Sequence, residues 1–297
     1  MKWTDKDQII MQGIDRPLGK YYAARLKTQG TCVVAGVASG HGGEIIAEIP
    51  VFDLVAEAVA EAGEIQTSLI LVPPNQVLDA ALEAIAAAIP QLIIVTPGVP
   101  PLDLVELLKI ASTTGTLILG PGSQGVIIPN YLWLGICEPS FYQSGTIGLI
   151  TRGDRIGDEV AKTLTAAGYG ESMAVNLGTD GIIGSNLSQW LQVFEEDDNT
   201  EAILLVSQVG GKAEIEAAKY ISSAIEKPVI AYLVGLNAAI ETNFGDTETI
   251  ISNQLSYSVA AKNTRKDSLR HFQEAGVTVV EKLADLPASL GKVLSCI

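Results

Sequence analysis

Along the first half of the chain, short β-branched or apolar runs alternate with longer segments whose apolar positions recur at helical spacing. Gln8–Gln12, Cys32–Val37, Ser68–Val72, Leu92–Val95 and Thr116–Leu119 are bounded by Gly or Pro and predict strands. Between them Leu54–Glu61, Val77–Ala88 and Leu102–Ser112 are rich in Ala, Leu and Glu, and Val77, Leu78, Ala81, Leu82 and Ile85 fall on one helical face. A strand–helix–strand series of this kind predicts a parallel sheet with right-handed crossovers. From Pro129 to Gly145 the period fails, and Asn130–Trp133 and Glu138–Ser140 read as a connecting loop. Thr146–Thr151, Met173–Asn176, Ala202–Val206, Val229–Leu233 and Val277–Val280 then predict a second set of strands. Helices are expected near Asp158–Ala167, Leu187–Glu195, Ala213–Ser223, Arg265–Ala275 and Leu283–Leu294. The expected fold is α/β in two doubly wound domains, 1–130 and 145–297, the second nearer the flavodoxin-like kind.

Length agrees with two domains, because 297 residues exceed the ~100–200 of one. An apolar content of 47% supplies two cores, and a net charge of −15 repels phosphate backbones and anionic lipid, so neither nucleic acid nor membrane is an expected partner. The start of the chain, Met1 to Asp7, lacks a basic and then apolar signal, and no run approaches the ~20 apolar residues of a membrane span. Cys32, Cys137 and Cys296 are too widely spaced for a metal or disulfide framework, which points to a reducing cytoplasm. No metal is expected, since His41 and His271 are the two histidines. His271 is expected as a partly exposed helix residue, and Cys32 and Cys137 as small core residues without an activating neighbour.

Turn sequences carry more information than composition. Gly36-Val37-Ala38-Ser39-Gly40-His41-Gly42-Gly43, Ile49-Pro50-Val51-Phe52, Thr96-Pro97-Gly98-Val99-Pro100 and Gly120-Pro121-Gly122-Ser123-Gln124-Gly125 occur in the first half. Gly184-Ser185-Asn186, Thr200-Glu201-Ala202-Ile203, Val209-Gly210-Gly211 and Lys227-Pro228-Val229 follow in the second. In this order the chain resembles the succinyl-CoA synthetase (succinate–CoA ligase) alpha-subunit family over nearly its whole length. The resemblance implies a CoA-binding Rossmann-like domain followed by a flavodoxin-like ligase domain, both with parallel sheets. It also implies an acid–CoA ligase reaction of the tricarboxylic acid cycle, run through an acyl phosphate and a phosphohistidine, with the nucleotide held by a beta subunit.

At the position of the family's phosphohistidine, in a Gly-His-Ala-Gly loop, this chain has Asp246 within Gly245-Asp246-Thr247-Glu248. A neutral imidazole nitrogen is nucleophilic at neutral pH, whereas a carboxylate is anionic and accepts hydrogen bonds only. Gln208 stands where the family has the glutamate that orients the histidine, and an amide does not stabilise an imidazolium as a carboxylate does. Thr151-Arg152-Gly153-Asp154-Arg155 replaces the family's Ser-Arg-Ser-Gly-Thr phosphate-binding helix start, and Asp154 is expected there as an N-cap that occupies the amides itself.

The CoA end departs as well. Where the family has a Thr-Gly-Ser-Gln-Gly turn, Asp15-Arg16-Pro17-Leu18-Gly19-Lys20 keeps Gly19 but has Arg16 in place of a glycine and Pro17 without an N–H. Arg16 and Lys20 either hold phosphate through their side chains or are solvated cations at a helix start. His41 and Gly42 fall where the family has a CoA-contacting lysine turn, Pro73 in its adenine-side loop, and Gly120 and Pro121 in a further turn of the CoA half; Pro97 replaces a glutamate. CoA is the implied cofactor, through a weakened motif. Three readings stay open: a CoA- or nucleotide-binding subunit without the phosphohistidine step, an active ligase subunit with Asp246 or a partner as carrier, and a non-catalytic scaffold. A beta-like ligase subunit is the implied partner, with a homodimer as the alternative.

Overall fold

The computed structural model describes residues 3–4, 6–208, 212–234 and 264–295. Two seven-stranded sheets lie in sequence. The first is built from β1 (Ile9–Gln12), β2 (Val33–Val37), β3 (Ile45–Ile46), β4 (Ile49–Phe52), β5 (Thr67–Ile70), β6 (Gln91–Ile94) and β7 (Leu117–Leu119), in the order β3-β4-β2-β1-β5-β6-β7. Every pairing is parallel except β3 with β4. Helices α1 (Pro17–Thr28), α2 (Val55–Ala62), α3 (Val77–Ala86) and α4 (Pro101–Thr114) make the crossovers. β1, β5 and most of β6 are buried throughout, which is why their sequences show no alternation of apolar and exposed polar positions.

The second sheet has the order β14-β13-β12-β10-β11-β8-β9. Its strands are β8 (Gly125–Ile128), β9 (Leu132–Gly135), β10 (Ser144–Thr151), β11 (Glu171–Asn176), β12 (Ala202–Gln208), β13 (Val229–Val234) and β14 (Thr278–Val280). Its helices are α5 (Ile156–Ala166), α6 (Leu187–Glu195), α7 (Lys212–Ala224), α8 (Thr264–Glu274) and α9 (Leu286–Leu294).

β9 corrects the expectation of a loop from Pro129 to Gly145. The chain enters the second sheet at Gly125, as an antiparallel hairpin paired to β11. Both sheets are mostly parallel, as expected, with antiparallel pairing at one edge of each: β3 with β4, and β8 with β9 and β11. Four-residue strands closed by a left-handed Asn130 are too short to show a period. Gly125 holds the crossing: its φ is +96°, and an added Cβ would lie 1.9 Å from the Leu134 carbonyl oxygen.

The halves are tied across this crossing. Arg25 of α1 bonds both oxygens of Glu138, at 3.0 and 2.9 Å, and its guanidinium lies 5.5 Å from the centre of the Trp133 ring. Both bonds come from Nη2, and it is the planar guanidinium over the Trp133 ring that lysine would not reproduce. Cys137 is buried as expected; Cys32 is exposed, contrary to expectation, because it precedes β2 at the sheet rim. His271 is half-buried on α8.

Glu171, at the start of β11, is 1% exposed, and with no cation beside it burial pushes its carboxyl up to about 8. The unfolded chain releases this proton near 4.5 and the folded chain near 8, so the folded state holds the extra proton between those values. Stability from this group is therefore full below pH 4.5 and lost as pH rises through 8, with a slope of at most about 1.4 kcal/mol per pH unit. Glu171→Gln removes the slope; urea midpoints measured on either side of neutrality are expected to fall more steeply with pH in the native protein than in the variant.

Candidate functional site

β1, β2, β5, β6 and β7 run parallel, so the turns that follow them share one edge of the first sheet. β2 lies on one side of β1 and β5 on the other, and the crevice at such a reversal is where open parallel sheets hold ligands. α1 starts there. Pro17 occupies its first position, where a missing N–H costs nothing, and Arg16 is the N-cap residue without a side-chain cap bond. Gly19 lets α1 press against the turn after β1, for an added Cβ would lie 2.2 Å from the Gly13 carbonyl oxygen and 2.8 Å from the Ile14 Cα. Arg16 Nε is 3.3 Å from the Asp15 carboxylate, and Lys20 is exposed.

Backbone amides in this crevice already carry carboxylates of the chain itself. Asp53 Oδ1 accepts from Gly40 N at 2.6 Å and Gly42 N at 3.0 Å, bonds that hold its carboxyl below the usual range. His41 is held between Glu44, with Nδ1 3.0 Å from Oε1, and Asp15, with Nε2 4.0 Å from Oδ2. Gly98 N and Val99 N, at the turn before α4, donate to Asp180 at 3.0 to 3.2 Å. Asp180 comes from the second half, in the connection between β11 and α6. Gly184 N donates to the Gly120 oxygen at 2.8 Å and Thr179 N to the Pro121 oxygen at 3.1 Å, so that connection is strapped onto the turn after β7. Ile182 of the strap packs on the core of the first half. Pro73 precedes a single turn of tighter helix, Pro74–Gln76, beside the same edge.

The second sheet repeats the reversal at β10, which lies between β11 and β12. Asn176, at the end of β11, is a buried hub: it accepts from Gln124 N and Gly178 N and donates to Thr151 Oγ1 and to the Gly153 carbonyl, all at 2.9 to 3.1 Å. It binds the crossing segment to the start of α5. Only an amide serves, because the four bonds need two acceptors and two donors.

Asp154 is exposed and does not cap α5, which corrects the expectation: the N-cap residue is Arg155, without a side-chain bond. Ile156 N turns back to the Asp154 carbonyl at 2.6 Å instead, so the backbone closes the turn that the carboxylate was expected to close. The nearby buried acid is Glu214 on α7, whose Oε1 accepts from Ser207 Oγ at 2.6 Å and lies 3.9 Å from Arg152 Nη1. Gln208 ends β12 opposite Val234. Its side chain is outside the described residues, as are Asp246 and its loop.

Asp53, Asp180, Asn176 and Glu214 escaped sequence reasoning. Each acts through a partner distant in sequence or through backbone amides, neither of which leaves a spacing signal.

The arrangement, two doubly wound sheets with glycine-lined turns at both reversals, defines a two-domain CoA-ligase-type protein. Residues 4–98 match the CoA binding domain family and residues 150–283 the CoA-ligase family. The chain belongs to the succinate–CoA ligase alpha-subunit family. It is 35% identical to the Aquifex aeolicus succinate–CoA ligase [ADP-forming] subunit alpha, over 99% of this chain and 95% of that one. Its identity to an Archaeoglobus fulgidus succinate–CoA ligase [ADP-forming] subunit alpha 2 is 31%, over 98% of both. Among solved structures, ATP citrate lyase from Methanothrix soehngenii in complex with citrate and coenzyme A superposes with a TM-score of 0.80 at 17% identity, covering 100% of this chain and 51% of that one. A dinucleotide-forming acetyl-coenzyme A synthetase of Ca. Korarchaeum cryptofilum gives 0.70 at 17%, covering 93% and 58%. The chain thus spans about half of these longer proteins, and at such identity the likeness is one of fold. No described helix is long and apolar enough to cross a membrane, and no described group of His, Cys, Asp or Glu side chains would hold a metal ion.

Proposed function

We propose that this chain is the alpha-type subunit of an acid–CoA ligase that binds CoA along the first sheet's turn edge and does not carry phosphate on a histidine. The observation that carries the reading is Asp246, together with Gln208, in a chain otherwise matching the alpha-subunit family end to end. An anionic carboxylate and a neutral amide stand where the reaction needs a nucleophilic ring and the carboxylate that orients it. CoA would lie across the turns of Arg16 to Lys20, His41 to Gly42, Pro73 and Gly120 to Pro121. Arg16 and Lys20 supply the positive charge for its phosphates, since the amides of Gly40 and Gly42 are taken by Asp53. A beta-type subunit is the partner the reading requires, because the family's nucleotide is not held on the alpha chain.

Two measurements test it. Calorimetry with CoA is expected to show saturable binding that Arg16→Glu weakens by about tenfold or more, the worth of one charge-assisted contact. Incubation with terminally labelled ATP or GTP and a beta subunit from a succinate–CoA ligase is expected to give no acid-labile phosphoprotein. Such a product would overturn the proposal. A hydroxylamine-sensitive label that disappears in Asp246→Asn would instead establish an aspartyl phosphate carrier, and absence of CoA binding would leave the scaffold reading.

A further inference from the structure

In the turn after β2, every backbone amide from Gly40 to Glu44 is engaged within the chain. Gly40 N and Gly42 N donate to Asp53 Oδ1 at 2.6 and 3.0 Å. His41 N donates to the Ala38 carbonyl at 3.1 Å, Gly43 N to that of Val51 at 2.9 Å and Glu44 N to that of His41 at 3.1 Å. A phosphate arriving there finds no spare donor in the turn, and taking one would leave its present acceptor unmatched. The turn is shaped around the Asp53 carboxylate, since an added Cβ on Gly42 would lie 2.6 Å from its Oδ2. The amides of Gly42 and Gly40 hold that carboxyl below the usual range, so it is ionised at neutral pH.

The side chains are engaged in the same way. His41 presents Nδ1 to Glu44 Oε1 at 3.0 Å and Nε2 to Asp15 Oδ2 at 4.0 Å, and Asp15 also holds Arg16 Nε at 3.3 Å. Three carboxylates, of Asp15, Glu44 and Asp53, thus gather around His41, and residues 38 to 53 contain no Lys or Arg. Arg16 and the exposed Lys20 stand instead at the start of α1.

In a doubly wound domain the diphosphate of a bound nucleotide lies at the start of the first helix and its ribose beyond the second strand. There a carboxylate accepts from ribose hydroxyls, whereas an arginine receives a ribose phosphate. We propose that this crevice selects a nucleotide with free ribose hydroxyls, so that dephospho-CoA is a better ligand than CoA. CoA differs by one phosphate, on the ribose 3′ oxygen, which carries about −1.5 to −2 charges at neutral pH. That group would meet Asp53 and Glu44, whereas a hydroxyl donates to them; the exposed Ser39 hydroxyl serves either ligand. This selectivity rests on the reading of the edge as the CoA site and decides which form of the coenzyme it takes.

Calorimetry of the full chain in about 0.15 M salt is expected to show dephospho-CoA bound about tenfold or more tighter than CoA. At about 1 M salt, where exposed charges are screened beyond about 3 Å, the difference should shrink to about threefold or less. The attraction of Arg16 and Lys20 for the diphosphate weakens alike for both ligands and cancels from the comparison. Asp53→Asn combined with Glu44→Gln removes two charges, keeps an acceptor for the glycine amides and should shrink the difference in the same way, with circular dichroism as the check on folding. The salt comparison uses the native chain and decides the matter if the variant does not fold. CoA bound as tightly as dephospho-CoA, or more tightly, overturns the proposal and leaves the CoA-binding subunit in place. A preference that survives both high salt and the substitutions overturns it too, because the carboxylates would not be its cause. If neither ligand binds, the crevice is not a CoA site and the selectivity falls with it.

Discussion

Gly19→Val is expected to lower the unfolding free energy by about 3 kcal/mol or more and to take CoA binding below detection by calorimetry. Overpacking a core costs about 1–3 kcal/mol when side chains yield; here the obstacles are the Gly13 carbonyl oxygen and the Ile14 Cα, both backbone. α1 must therefore lift from the turn after β1, carrying Arg16 and Lys20 away from the crevice. Gly181→Ala is the matched control. Its Cβ would meet nothing within 4 Å and its backbone is not left-handed, so it should leave both measurements unchanged. If Gly19→Val bound CoA with native affinity, this edge of the sheet would not be the CoA site.

Trp190→Ala is expected to cost about 3–5 kcal/mol, read as a lower urea midpoint. Trp190 is 1% exposed on α6, where it fills the core under β10, and its truncation leaves a hole the sheet cannot close. Two further losses add to the cavity. The buried Ser185 Oγ, which accepts from Trp190 Nε1 at 3.0 Å, loses that donor, and Trp3 loses the ring it stacks on. A Trp190→Phe variant keeps a stacking surface and should recover part of the stability. Equal midpoints for Trp190→Ala and native protein would show that α6 is not a core element.

Ten of the strands lay open to sequence reasoning because β1, β2, β5, β6, β7 and β10 to β14 are apolar runs cut off by Gly, Pro or polar turns. β3, β4, β8 and β9 were hidden because β3 has two residues, β4 carries Pro50, and β8 and β9 are set among the glycine and proline turns from Gly120 to Gly135. The helix start at Pro17 was legible from the proline; its missing side-chain cap was not. At Asp154, residue type suggested a cap that the backbone turn of Ile156 made unnecessary. Asp53 and Asp180 illustrate the opposite failure. Neither has a recognisable neighbour in sequence, yet each fills an amide pair that the glycine turns present.

What the amino-acid sequence alone determined is the alternation of strand and helix, the two-part α/β order and the identity of the residues at positions 208 and 246, since these follow from local pattern and residue type. What only the tertiary structure decided is the crossing at Gly125, the strap that brings Asp180 onto Gly98 and Val99, and the burial of Glu171 with one carboxyl oxygen unmatched. These depend on which distant segments meet. A carboxylate's role is set by the amides, cations or empty space it faces after folding, and no spacing along the chain encodes that.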